Sequence, residues 1–150
     1  MPTEFLPARR RILIVEDHLP TLEVLAKLLR RDGHEVVTAS TFAAALAASQ
    51  GRELDLLISD VGLPDGSGGE LMVALRQTHG IAGIAVSGYG MESDLDQSRA
   101  AGFAAHVTKP VDLPTVRRLI DKVTGRKETE GRPGDAGPAA MEVVVPGGPH

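Results

Sequence analysis

Short apolar runs that break off at a polar residue punctuate the first 124 positions of the chain. Ile12-Leu13-Ile14-Val15 is continuous and largely β-branched, and it stops at Glu16-Asp17. A run apolar on every side, rather than alternating, predicts a central parallel strand covered on both faces. Pro20 then stands where a first helical turn accepts it, and Leu22, Leu25, Leu28 and Leu29 recur at helical spacing up to Asp32-Gly33. Glu35-Val36-Val37-Thr38 is less apolar, which predicts a strand at the sheet edge. Thr41 or Ser40 caps an alanine-rich helix from Phe42 to Gln50, closed by Gly51.

The pattern then repeats. Asp55 to Ser59 reads as a third strand, ending at Asp60 and the loop Pro64-Asp65-Gly66-Ser67-Gly68-Gly69. A helix with Leu71, Met72 and Leu75 on one face follows, then a fourth strand from Ile81 to Val86 that ends at Ser87-Gly88. The helix expected over Met91–Ala101 has Leu95 as its one large apolar residue besides Met91, so it should dock shallowly and be of low local stability. Phe103 to Thr108 reads as a fifth strand ending at Lys109-Pro110, and Pro114 opens a last helix with Val116, Leu119, Ile120 and Val123 on one face. Five strand–helix repeats with short connections predict an α/β fold: a doubly wound, five-stranded parallel sheet with helices on both faces. Residues 1–10 read as a flexible leader and 11–124 as the folded domain. Residues 125–150, rich in Gly, Pro and charge, read as a mostly disordered tail; its apolar patch, Met141 to Val145, has no partner pattern, and a short hydrophobic docking peptide is the alternative reading there.

Composition narrows the class. An apolar fraction of 42% with aromatics at 3% requires a core of Leu, Val, Ile and Ala. The absence of cysteine excludes a disulfide framework and thiolate metal sites, and fits a cytoplasmic protein. A net charge of −4 offers no general surface for nucleic acid, and no apolar run approaches the roughly 18 residues of a membrane span.

Candidate chemistry sits at the strand ends: Glu16-Asp17, Asp60, Ser87 and Lys109. In a parallel sheet these ends share one edge, where open α/β folds place ligands. Three carboxylates in one cleft raise one another's pKa unless a cation joins them, and hard oxygen ligands with room for water suit Mg2+. Beside such a cation a carboxylate serves as a nucleophile toward phosphorus, with a lysine and a hydroxyl to receive the phosphoryl oxygens.

In this arrangement residues 11–124 resemble the response-regulator receiver (CheY-like) domain. The resemblance rests on Glu16-Asp17, on Asp60 with Pro64 and Gly68 behind it, on Ser87-Gly88, and on Lys109-Pro110. It implies the flavodoxin-like strand order 2-1-3-4-5. It makes Asp60 the phosphoacceptor, charged by a histidine kinase or histidine phosphotransfer protein. Mg2+ would be bound by Asp17, Asp60 and the backbone carbonyl of Gly62, with Glu16 acting mainly through a metal-bound water. Ser87 would follow the phosphoryl group, Lys109 would pair with it, and the Lys109–Pro110 peptide would be cis. Two positions depart from the usual pattern: Glu16 replaces an Asp, and His106 stands where many relatives carry a Tyr or Phe that rotates as a switch.

The reading is therefore a phosphoacceptor signalling module, not an enzyme, either stand-alone or like the C-terminal receivers of hybrid sensor kinases. Its output would pass through an unknown downstream protein or a phosphate relay, because the tail is too polar to form a DNA-binding domain. Two alternatives compete. A Mg2+-dependent aspartyl-phosphate phosphohydrolase would need an acid two residues after Asp60, where Gly62 stands. A phosphorylation-independent scaffold would have no use for the intact polar set.

Overall fold

The alternation of residues along each strand sorts them into two cores, one on each face of a single parallel sheet. The computed structural model describes residues 9–88, 92–130 and 141–145. In chain order the elements are β1 (Arg11–Val15), α1 (Leu19–Arg31), β2 (Glu35–Ala39), α2 (Phe42–Ser49), β3 (Leu56–Asp60), β4 (Gly62–Leu63), β5 (Gly66–Ser67), α3 (Gly68–His79), β6 (Ala82–Ser87), α4 (Glu92–Ala101), β7 (Ala105–Thr108), α5 (Leu113–Glu130) and β8 (Glu142–Val144). The main sheet runs β2-β1-β3-β6-β7-β8, and every neighbouring pair is parallel. β2 lies at the edge, as its weaker apolar character predicts.

On one face Ile12, Ile14, Ile58, Ile84 and Val107 meet α1 through Leu22, Ala26 and Leu29, and α5 through Val116, Leu119 and Ile120. On the other, Leu13, Val15, Leu57 and Ala85 meet Ala45 of α2 and Leu71, Met72 and Leu75 of α3. Each fully buried Leu or Ile removes enough apolar surface from water to contribute about 1.5–3 kcal/mol, so the sheet is the stable platform of the domain. α4 packs principally on α3, with Ser98 and Ala101 buried and Leu95 half-buried.

Local chemistry sets the helix starts. The Thr41 hydroxyl accepts the Ala44 N–H at 3.0 Å, resolving the choice between Ser40 and Thr41. The Ser67 hydroxyl does the same for Glu70 N–H at the start of α3. The Asp65 carboxylate accepts the N–H groups of Phe42 and Ala43 at 2.7 and 3.0 Å, so the loop after β3 is tied to the first turn of α2.

The C-terminal region departs from the expectation of a structureless tail. α5 continues to Glu130, and Glu142–Val144 add a sixth strand beside β7. The physical reason is that an edge ladder is made by backbone groups, which composition does not report. Met141 adds a buried side chain, and Glu142 pairs with Arg118 and Lys122 on α5. Most of the predicted leader, Met91 at the head of the predicted fourth helix, and residues 131–140 and 146–150 lie outside the described residues. Among the described residues no helix is long and apolar enough to cross a membrane.

Candidate functional site

The ends of β1, β3, β6 and β7 bring Glu16, Asp17, Asp60, Ser87 and Lys109 to one edge of the sheet. Register does this: Val15 lies opposite Ser59, Asp60 opposite Val86, and Ser87 opposite Thr108. Asp60 is 7% exposed and Glu16 5% exposed, whereas Asp17 faces solvent. Each of the three offers a carboxylate oxygen, and these oxygens all lie within 4.8 Å of one another.

Lys109 reaches into this cluster. Its ammonium lies 3.0 Å from Glu16 Oε1 and 3.3 Å from Asp60 Oδ1. The backbone N–H of Lys109 donates to the Ser87 carbonyl at 2.8 Å, which fixes the start of the lysine side chain. The Lys109–Pro110 peptide bond is cis. Glu16 is further held by the His18 N–H, which donates to Oε2 at 2.9 Å.

The electrostatics follow from crowding. Burial, and after it the adjacent Glu16 carboxylate, push the Asp60 carboxyl up to about 7, against the pull of Lys109. Burial alone would raise Glu16 as well, but its hydrogen bonds with Asp60, the His18 N–H and Lys109 outweigh that and hold it below the usual range. The crowding therefore favours protonation of Asp60 and ionisation of Glu16. Burial would lower the Lys109 ammonium, and the two carboxylates overcome that and raise it. Three converging carboxylate oxygens with one lysine form a donor set short of positive charge, and a hard divalent cation fits it. Glu16 and Asp60 also border a cavity of about 530 Å3 whose remaining wall is largely apolar, including Ile14, Ile58, Ile84 and Val86.

Glycines permit the close approaches. A Cβ on Gly68 would strike the backbone carbonyl of Asp60, so the first residue of α3 must lack one for the helix to pack directly behind the acid. Gly68 N–H donates to the Val61 carbonyl at 2.7 Å, tightening the same turn. Gly62, in β4, is exposed, and a Cβ there would meet nothing within 4 Å.

His106 is 1% exposed, not at the surface. Its Nε2 lies 2.7 Å from Ser87 Oγ and its Nδ1 2.9 Å from Ser98 Oγ. In a neutral imidazole one nitrogen donates and the other accepts, so one serine receives a proton from the ring and the other gives one. Ser98 escaped the sequence reading. The available signal was a small polar residue on the inner face of α4, at i+3 from Leu95 and i−3 from Ala101.

Comparison with known proteins shows the family. Residues 12–121 match the family model of the response regulator receiver domain. The chain is 34% identical over 113 residues to a response regulator receiver protein of Anaeromyxobacter, covering 75% of this chain and 46% of that one. It is 37% identical over 102 residues to the KDP operon transcriptional regulatory protein KdpE of Escherichia coli, covering 68% and 45%. The chain thus spans less than half the length of these two relatives. Its fold is similar to the crystal structure of a CheY-like receiver domain protein from Methanospirillum hungatei, at a TM-score of 0.76 and 31% identity, covering 83% of this chain and 100% of that one. The chain belongs to the response regulator receiver family and is a phosphoacceptor signalling module of the two-component type.

Proposed function

We propose that Asp60 is the residue that accepts the phosphoryl group, from a histidine kinase or a histidine phosphotransfer protein. The observation that carries this is the convergence on Asp60 of Glu16, Asp17 and Lys109 at the end of a buried strand. An Asp60 oxygen attacks phosphorus in line, the bond from phosphorus to the donor's histidine nitrogen breaks, and that nitrogen keeps the electron pair. Glu16, Asp17, Asp60 and the Gly62 carbonyl are the groups that would hold Mg2+. When bound, that ion supplies positive charge to the phosphoryl oxygens and lets Asp60 ionise at neutral pH. Lys109 moves from pairing Asp60 to pairing the phosphoryl oxygens, and the Ser87 hydroxyl donates to one of them. Gly62 has no acid to protonate a leaving group, which supports a phosphoacceptor over a phosphohydrolase.

Ser87 and His106 form the switch in this reading. If Ser87 turns its proton to the phosphoryl group, it can only accept from His106 Nε2–H, and Nδ1 must then accept from Ser98. The signal reaches α4 through this Ser87–His106–Ser98 hydrogen-bond chain. Output then passes by protein contact or phosphate relay in the cytoplasm, without direct nucleic-acid binding by this domain.

The test is incubation with acetyl phosphate and Mg2+, read by intact mass. One base-labile phosphoryl adduct is expected, lost in Asp60→Asn. No adduct from acetyl phosphate or from a phosphorylated histidine phosphotransfer domain would refute the proposal. Ser98→Ala should leave the adduct intact and remove the change in α4 amide exchange that accompanies it.

A further inference from the structure

β8 is a short strand that the chain lays on its own sheet edge. Ala105 lies opposite Glu142, His106 opposite Val143 and Val107 opposite Val144. Glu142 N–H donates to the Ala104 carbonyl at 3.1 Å. Met141 is 8% exposed and packs in the same apolar cluster as Ala101 and Phe103, while Val144 rests on the cluster of α5. The Glu142 carboxylate takes Arg118 Nη1 at 2.7 Å and also pairs with Lys122. Together these features seat one strand: ladder groups on β7 that β8 pairs, an apolar cluster that takes Met141, and two cations on α5 that meet the acid one residue later. Such edge addition draws affinity from the main chain and specificity from alternate side chains.

Two observations say that the occupant is removable. A strand of three residues is near the lower limit of length and adds few backbone bonds. Among the described residues no strand pairs with its outer edge, and Val143 and the following Val145 are 38% and 51% exposed. A third observation ties it to the phosphorylation site, since Val143 lies in register beside His106, the middle member of the chain from Ser87 to Ser98. A change at Ser87 therefore reaches the strand through one residue.

We propose that Met141–Val145 is the resident occupant of a strand-docking site on β7, released when Asp60 is phosphorylated. The vacated site then takes an extended segment of a partner with the same chemistry, an acid flanked by apolar residues, running parallel to β7. Release on phosphorylation rests on the reading of Asp60 as phosphoacceptor; the docking site does not.

The experiment uses the full chain and a fluorescein-labelled peptide of residues Ala139–Gly147, read by anisotropy, with hydrogen exchange of residues 142–144 in parallel. Glu142→Lys in the full chain reverses the pairing with Arg118 and Lys122, and should deprotect those amides and tighten peptide binding at least about tenfold over the unphosphorylated parent. The phosphorylated parent, its adduct verified by mass, should show the same gain, and a peptide carrying Lys in place of Glu142 should lose it. If Glu142→Lys leaves the strand protected, Val144→Asp displaces it and the same binding is read. A deprotected strand with no peptide binding overturns the docking site. A verified adduct with unchanged exchange at 142–144 overturns release, whereas failure to form any adduct counts against Asp60 as phosphoacceptor and leaves the Glu142→Lys result to decide the site.

Discussion

Replacing Asp60 by Asn keeps the shape of the side chain and removes its charge, and in metal-free protein this should raise stability. Burial and the Glu16 carboxylate push the Asp60 carboxyl from an ordinary 3.8 up to about 7. A folded value above the unfolded one means that the protonated form favours the fold. That contribution is complete below about pH 4 and is lost as pH rises through about 7. A shift of about three units corresponds to about 4 kcal/mol, and solvent access with partial screening at the sheet rim reduces it to roughly 2 kcal/mol. For a domain of about 110 folded residues, 1 kcal/mol moves Tm by about 4 °C. Asp60→Asn should therefore melt roughly 8 °C above the parent near pH 8 in EDTA, with little difference near pH 4. Millimolar Mg2+ should raise the parent far more than the variant and narrow the gap, because the variant lacks one carboxylate of the metal set. Scanning calorimetry across this pH range, with EDTA or Mg2+, measures each quantity. A gap independent of pH, or a variant less stable than the parent near pH 8 in EDTA, would refute the reasoning.

Three further outcomes follow from the same geometry. Gly68→Ala should destabilise by about 1–3 kcal/mol in denaturant melts, since its Cβ meets the Asp60 carbonyl, and should slow adduct formation by displacing the acid. Gly62→Ala, with open space around it, should stay within about 0.5 kcal/mol of the parent. Lys109→Met leaves Glu16 and Asp60 facing each other without their cation. It should cost about 1–3 kcal/mol near pH 8 without metal and slow phosphorylation from acetyl phosphate, with Mg2+ recovering part of the stability but not the rate.

The positions of the strands were legible because each is a short apolar run closed by a polar residue, and a buried parallel strand admits little else. The site was legible for a related reason. Glu16, Asp17, Asp60, Ser87 and Lys109 are polar residues at the one place where a parallel sheet gathers separate parts of the chain. The helices were legible from leucine spacing and from their stops, such as Gly80 after α3, which holds a left-handed conformation with φ 65°. His106 was recognisable as a departure from the usual aromatic, but not as a buried group bonded to two serines, because a lone histidine in a strand carries no record of its neighbours. Ser98 was hidden for the same reason.

Sequence by itself therefore determined the parallel α/β architecture, the set of acids around Asp60, and the lysine that answers them. These follow from hydrophobic pattern and from residue chemistry at fixed points along the chain. Tertiary structure alone decided that Glu16 crowds Asp60 and raises its carboxyl, that His106 links Ser87 to α4, and that Met141–Val145 closes the edge of β7. Each of these depends on distances between groups far apart in the chain. Carboxylate crowding, a hydrogen-bond chain and a backbone ladder exist only once the sheet has set those distances.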